Sequence, residues 1–136
     1  MTRSEIREQA LRFLYQLAVQ EGDSDQQEER FLSYNDFTES DLKFFHKLVE
    51  GVTQHSAELD QEITPALVDW KFDRLPLLDQ NILRMAWFEI KYSEDVPAAV
   101  AISEAVQLAK LYSDEGAHSY INAVLGSLYR QHEAKE

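Results

Sequence analysis

Chain breakers are scarce in this sequence. Four glycines and three prolines in 136 residues leave few places for turns. Apolar residues recur at spacings of three and four, the mark of helices that bury one face. No segment alternates apolar and polar residues long enough to define a strand. The chain reads as all-α: about seven helices with short links, no repeat and no low-complexity segment.

The first helix is expected to start at Thr2, which has capping-box spacing to Glu5. Ile6, Ala10, Leu14 and Leu17 share a face with Phe13 beside them, and Gly22 ends the run. A short charged helix follows in "SDQQEERFLSY", anchored by Phe31 and Leu32. A longer one begins after Thr38, with Asp41 three residues on. Its stripe is Leu42, Phe45, Leu48, Val49, Val52 and Leu59. Gly51 lies inside it at a cost of about 1 kcal/mol against alanine, which marks a close helix crossing. "ITPALVDW" suggests a short helix capped by Thr64, with Pro65 in its first turn, ending near Phe72. "RLPLLDQNILRMAWFEIKY" is apolar around more than half its circumference, so it is expected to be the central helix. Trp70 and Trp87 both read as core residues. The last helix follows "SDEGA" and carries Ile121, Val124, Leu125 and Leu128.

The absence of cysteine removes disulfide scaffolds, cysteine zinc sites and thiol nucleophiles, and it fits a reducing cytoplasm. The N-terminal stretch lacks the apolar core of a signal peptide. No apolar run reaches the roughly 20 residues that span a bilayer, so no membrane association is expected. The net charge of −12 repels phosphate backbones and attracts basic proteins. His46, His55, His118 and His132 show no zinc-protease spacing. There is no glycine-rich phosphate loop and no nucleophile elbow. The reading is a protein without catalysis, metal or cofactor. Arg3 and Arg7 stand four apart near the start of the first helix, serving either intrahelical ion pairs or a phosphate contact.

"AVAISEAVQLAKLY", residues 99–112, is a helix of small apolar residues in an otherwise acidic chain. Ala101, Ile102, Ala105, Val106, Leu108, Ala109 and Tyr112 form a broad apolar face, and Ser103, Gln107 and Lys110 line the opposite side. The alanines let neighbouring helices approach closely, leaving one narrow polar face outside. "HSYINAVL" then mixes polar and aromatic groups, and Tyr120 and Asn122 cannot both face the core built by Ile121, Val124 and Leu125. The longer stretch "VPAAVAISEAVQLAKLYSDEGAHSYINAVLGSL" closely resembles the signature of the NusB family of bacterial transcription antitermination factors. "REQALRFLYQ" and "ILRMAWFEI" resemble further pieces of that family in the same order, and the resemblance spans nearly the whole chain.

The resemblance implies a single all-α domain, residues 1–136, of two packed helical bundles at about 1–62 and 63–132. It implies a partner, the small basic ribosomal protein NusE, with which family members bind boxA RNA and join the RNA polymerase antitermination complex on ribosomal RNA operons. Tyr15 and Asp79 match positions on the NusE-facing surface. Arg3, Arg7, Lys110, Tyr120 and Asn122 match positions at or near the RNA surface. Tyr120 would stack on a base; Asn122 would either bond a base edge or cap the last helix. Some family members self-associate, so a homodimer is also in view. Ser4 and Glu5 replace typically basic residues, which weakens the expected phosphate contact; Ser103 stands where the family usually has asparagine and Ala123 where it has glycine. Two alternatives remain: a helical module that binds basic proteins without RNA, and an accessory domain like that of some ribosomal RNA cytosine methyltransferases. The latter continue into a catalytic domain, whereas this sequence stops at Glu136.

Overall fold

A computed structural model describes residues 1–135. Six α-helices follow in order: α1 (Arg3–Val19), α2 (Ser24–Leu32), α3 (Glu39–Ile63), α4 (Leu77–Tyr92), α5 (Ala98–Tyr112) and α6 (Ala117–Ala134). Two short 3-10 turns, Thr64–Ala66 and Phe72–Arg74, lie between α3 and α4. No strand forms among the described residues, and the all-α expectation holds.

Both capping boxes form as the spacing predicts. The Thr2 hydroxyl accepts the Glu5 amide at 3.1 Å while the Glu5 carboxylate accepts the Thr2 amide at 2.9 Å. Thr38 and Asp41 repeat the pattern at 3.1 and 3.0 Å. These reciprocal bonds satisfy amides that a helix start otherwise leaves unpaired.

The expected count of about seven helices is one too many, because "ITPALVDW" does not form a helix. Thr64 closes α3 and begins only a single 3-10 turn, not an α-helix: its hydroxyl donates to the Asp60 carbonyl at 2.7 Å. Beyond one 3-10 turn the backbone extends, and Asp69 adopts a left-handed conformation with φ 66°. This link carries Trp70 outward. Trp70 is 59% exposed, which corrects its expected place in the core. Trp87 does lie in the core, with its indole N–H donating to Glu62 at 3.1 Å.

The helix α4 is central as expected, packing against α1, α3, α5 and α6. One continuous apolar core runs through these five helices. The ring of Phe31 attaches α2, lying 5.1 Å from the Phe13 centroid and 6.0 Å from that of Phe45. At the α3–α4 crossing, a Cβ on Gly51 would overlap the Phe88 ring, so the glycine is where two helices come closest. Ala101, Ala105 and Ala109 of α5 are buried, one turn apart, as α5 packs on α4 and α6. Ser103, Gln107 and Lys110 form the exposed stripe on the other side.

Candidate functional site

The candidate residues fall into two groups on the fold. The first surrounds the start of α1. Arg7 points inward and is 3% exposed. It donates to both oxygens of the buried Glu89 on α4, Nε at 2.7 Å and a terminal nitrogen at 2.9 Å. Glu104 of α5 stands 3.6 Å from its other edge. Desolvation alone would lower the Arg7 pKa, but the bonds and charge of Glu89, with Glu104 and Asp95 behind, outweigh it and raise it. Arg7 therefore ties α1 to α4 and α5 from within the fold.

Arg3, one turn earlier, is exposed and bonds Asp95 at 3.1 Å. Its guanidinium lies 4.5 Å from the centroid of the Phe44 ring. That bond holds the Asp95 carboxyl below its usual range. Next to Arg3, the Ser4 hydroxyl donates to Glu104 at 2.6 Å. The serine that replaces a typically basic residue thus joins α1 to α5.

The second group sits where α4, α5 and α6 begin or end. Asp79, in the first turn of α4, is buried. One of its oxygens accepts the Ser113 hydroxyl at 2.5 Å, and the other accepts the Tyr120 hydroxyl. Burial, followed by the hydrogen bond and charge of Asp79, pushes the Tyr120 pKa up. Sequence reasoning placed Tyr120 on an RNA surface and Asp79 on a partner surface; the fold joins them by one hydrogen bond. A groove of about 480 Å³ opens over this network, lined also by Trp70, Arg74 and Gly116. The left-handed φ of 89° at Gly116 lets the chain turn into α6 here.

Tyr15, Lys110 and Asn122 are exposed and belong to neither network. Sequence reasoning missed Glu89, Phe44, Asp95 and the outward turn of Trp70. Glu89 alone left a trace, as a lone acid among apolar neighbours in "RMAWFEI".

A third bond connects α5 to α1: the Tyr112 hydroxyl donates to Glu8. Burial, with Glu8 adding to it, pushes the Tyr112 pKa up to about 12. The native state thus favours the protonated phenol. Its contribution is complete below the ordinary tyrosine value of 10 and is lost as pH rises towards 12. Tyr112→Phe should make the alkaline fall in stability shallower over that window in urea titrations. An unchanged slope would remove this bond from the account.

The fold is an all-α domain in which the first group ties α1 to α4 and α5 and the second ties α4 to α6. No helix among the described residues is long and apolar enough to cross a membrane, and no cluster there could hold a metal ion. The model of the NusB family matches residues 4–130. The transcription antitermination protein NusB of Listeria monocytogenes is 41% identical over 128 residues, covering 94% of this chain and 96% of the relative. That of Staphylococcus epidermidis is also 41% identical, covering 94% and 98%. The chain belongs to the NusB family of transcription antitermination proteins. Among solved structures, T. maritima NusB matches with a TM-score of 0.85 at 25% identity, covering 96% of this chain and 92% of that one. A crystal structure of the antitermination factors NusB and NusE in complex with dsRNA matches with a TM-score of 0.83 at 25% identity, covering 96% and 99%.

Proposed function

We propose that this protein is a non-catalytic adaptor of transcription antitermination in the cytoplasm, pairing with NusE. The pair binds boxA RNA and joins the RNA polymerase antitermination complex on ribosomal RNA operons. The observation that carries this reading is the match, over nearly the whole chain, to a NusB that was crystallised with NusE and RNA. The net charge of −12 supports it, because an acidic adaptor draws a basic partner by long-range attraction. The domain is read as two bundles, about 1–62 and 63–132, that meet where α3 packs on α4.

Arg3, Lys110, Tyr120 and Asn122 are assigned to RNA and Tyr15 to NusE. Arg7 supports the RNA face from beneath, holding α1 through Glu89. Asp79 acts on the partner side through the Tyr120 ring that it fixes.

The test is fluorescence anisotropy with labelled boxA RNA and a scrambled control, using this protein, NusE and the equimolar pair. The pair should bind boxA in clear preference to the scramble. Base–aromatic stacking is worth about 1–3 kcal/mol, so Tyr120→Ala should weaken boxA binding by that amount while Tyr120→Phe retains most of it. Lys110→Ala should reduce the salt dependence by about 0.7 in the logarithmic slope. A pair that forms but treats boxA and scramble alike would instead make this a protein-binding module. The burial of Arg7 and the pairing of Arg3 with Asp95 favour that second reading.

A further inference from the structure

We propose that the groove between the starts of α1 and α3 is an RNA phosphate site whose cations come from α3 as well as α1. Lys43 and Lys47 are its principal ligands, and Asp95 is its built-in competitor. The proposal rests on the antitermination reading and extends it to residues outside the family signature quoted above.

The groove encloses about 560 Å³. Arg3, Lys43, Lys47 and the N-terminal ammonium line it, with Phe44 among the walls. Asp41 and Asp95 line the groove with these four cations and both are engaged, while Glu5 stands near enough to interact with the N-terminal ammonium and Asp41. Asp41 accepts the Thr38 amide at 3.0 Å and the N-terminal ammonium at 3.4 Å. Asp95 bridges Arg3 at 3.1 Å and Lys47 at 3.8 Å. Lys43 takes part in no hydrogen bond or ion pair among the described residues. In a chain of net charge −12, four cationic groups gathered in one groove are a local concentration of basic groups.

The geometry suits a polyanion. Lys43 and Lys47 stand one helical turn apart on one face of α3, so they can meet neighbouring phosphates of one strand. Arg3 is held over the Phe44 ring, a contact that orders a cation before any ligand arrives. These groups add cations beside the start of α1, where Ser4 and Glu5 stand at positions that the resemblance gives as basic.

Asp95 gives the site a set point. Its carboxylate screens two of the four cations, and its side chain is 56% exposed, so an incoming phosphate can replace it at small cost. Exposed ion pairs of this kind contribute little to stability and are readily exchanged.

The experiment measures boxA binding by the pair with NusE across a salt series for the unmodified chain, Lys43→Ala/Lys47→Ala and Asp95→Asn. Circular dichroism and NusE binding serve as controls for the fold. Each single-strand phosphate contact adds about 0.7 to the slope of log affinity against log salt. The double alanine variant should bind roughly tenfold more weakly near physiological salt, with a slope shallower by about 1.4. Asp95→Asn should bind more tightly than the unmodified chain. If the unmodified pair prefers boxA but neither variant changes affinity or slope, the groove holds no phosphate and the antitermination reading stands without it. If the unmodified pair ignores boxA, both readings fall. If polyglutamate binds the unmodified chain and not the double alanine variant, while RNA binding is the same for both, the groove takes an acidic protein segment and the RNA assignment is overturned.

Discussion

Arg7→Met should cost roughly 3–5 kcal/mol of stability, the range found when one partner of a buried ion pair is removed. The substitution leaves Glu89, 1% exposed, without either of its two charge-assisted bonds. A domain of this kind has only about 5–15 kcal/mol to lose, so the urea midpoint should fall far with little change in the denaturant slope. The companion Arg7→Met/Glu89→Leu should recover much of the loss, because it removes the stranded carboxylate as well as the guanidinium. Glu104 and Phe44 also touch Arg7, so recovery should be incomplete. A single variant that loses less than about 1 kcal/mol would show that the pair does not hold α1 in place. The same measurement bears on function, since Arg7 sits beneath the face assigned to RNA.

The second large effect belongs to Gly51→Ala. On an isolated helix alanine would gain about 1 kcal/mol over glycine. Here the new methyl would overlap the Phe88 ring, itself 5% exposed and closed in by the core. Overpacking typically costs about 1–3 kcal/mol, and a rigid ring has little room to yield, so the net change should be a loss of about 2 kcal/mol. Adding Phe88→Leu to Gly51→Ala should return part of that stability in a thermal or urea titration. Stabilisation by Gly51→Ala alone would show that α3 and α4 can move apart at this crossing.

Much of the fold was legible because its signals are local. The capping residues Thr2 and Thr38 each lie three positions from their acids, and the α4 stripe repeats within a single helix. Gly51 announced a crossing without naming Phe88, which lies in another helix. The link after α3 was misread because Thr64 and Pro65 suit a helix start in isolation, whereas in the fold the Thr64 hydroxyl is spent on α3. Trp70 followed from the same error, since a residue on a helix has an inner face to occupy and one on an extended link has none. The site was less legible for a related reason. Spacing alone could place Arg3 and Arg7 on one side of α1. It could not show that α4 supplies a carboxylate under Arg7 and the α4–α5 link supplies one beside Arg3. Ion pairs between residues 82 or 92 positions apart leave no periodic signal.

The bond between Tyr120 and Asp79 has a consequence for how the two surfaces can be dissected. Tyr120 was assigned to one ligand and Asp79 to another, yet each fixes the other's side chain, and Ser113 shares the carboxylate. Groups in one hydrogen-bond network are energetically coupled, so the effects of changing them do not add. On the proposed assignment, any change that RNA makes in partner affinity through this pair is matched by the same factor in RNA affinity when the partner binds. Positions 79 and 120 are therefore one thermodynamic unit, and only a complete cycle of single and double variants, measured with both ligands, can divide it.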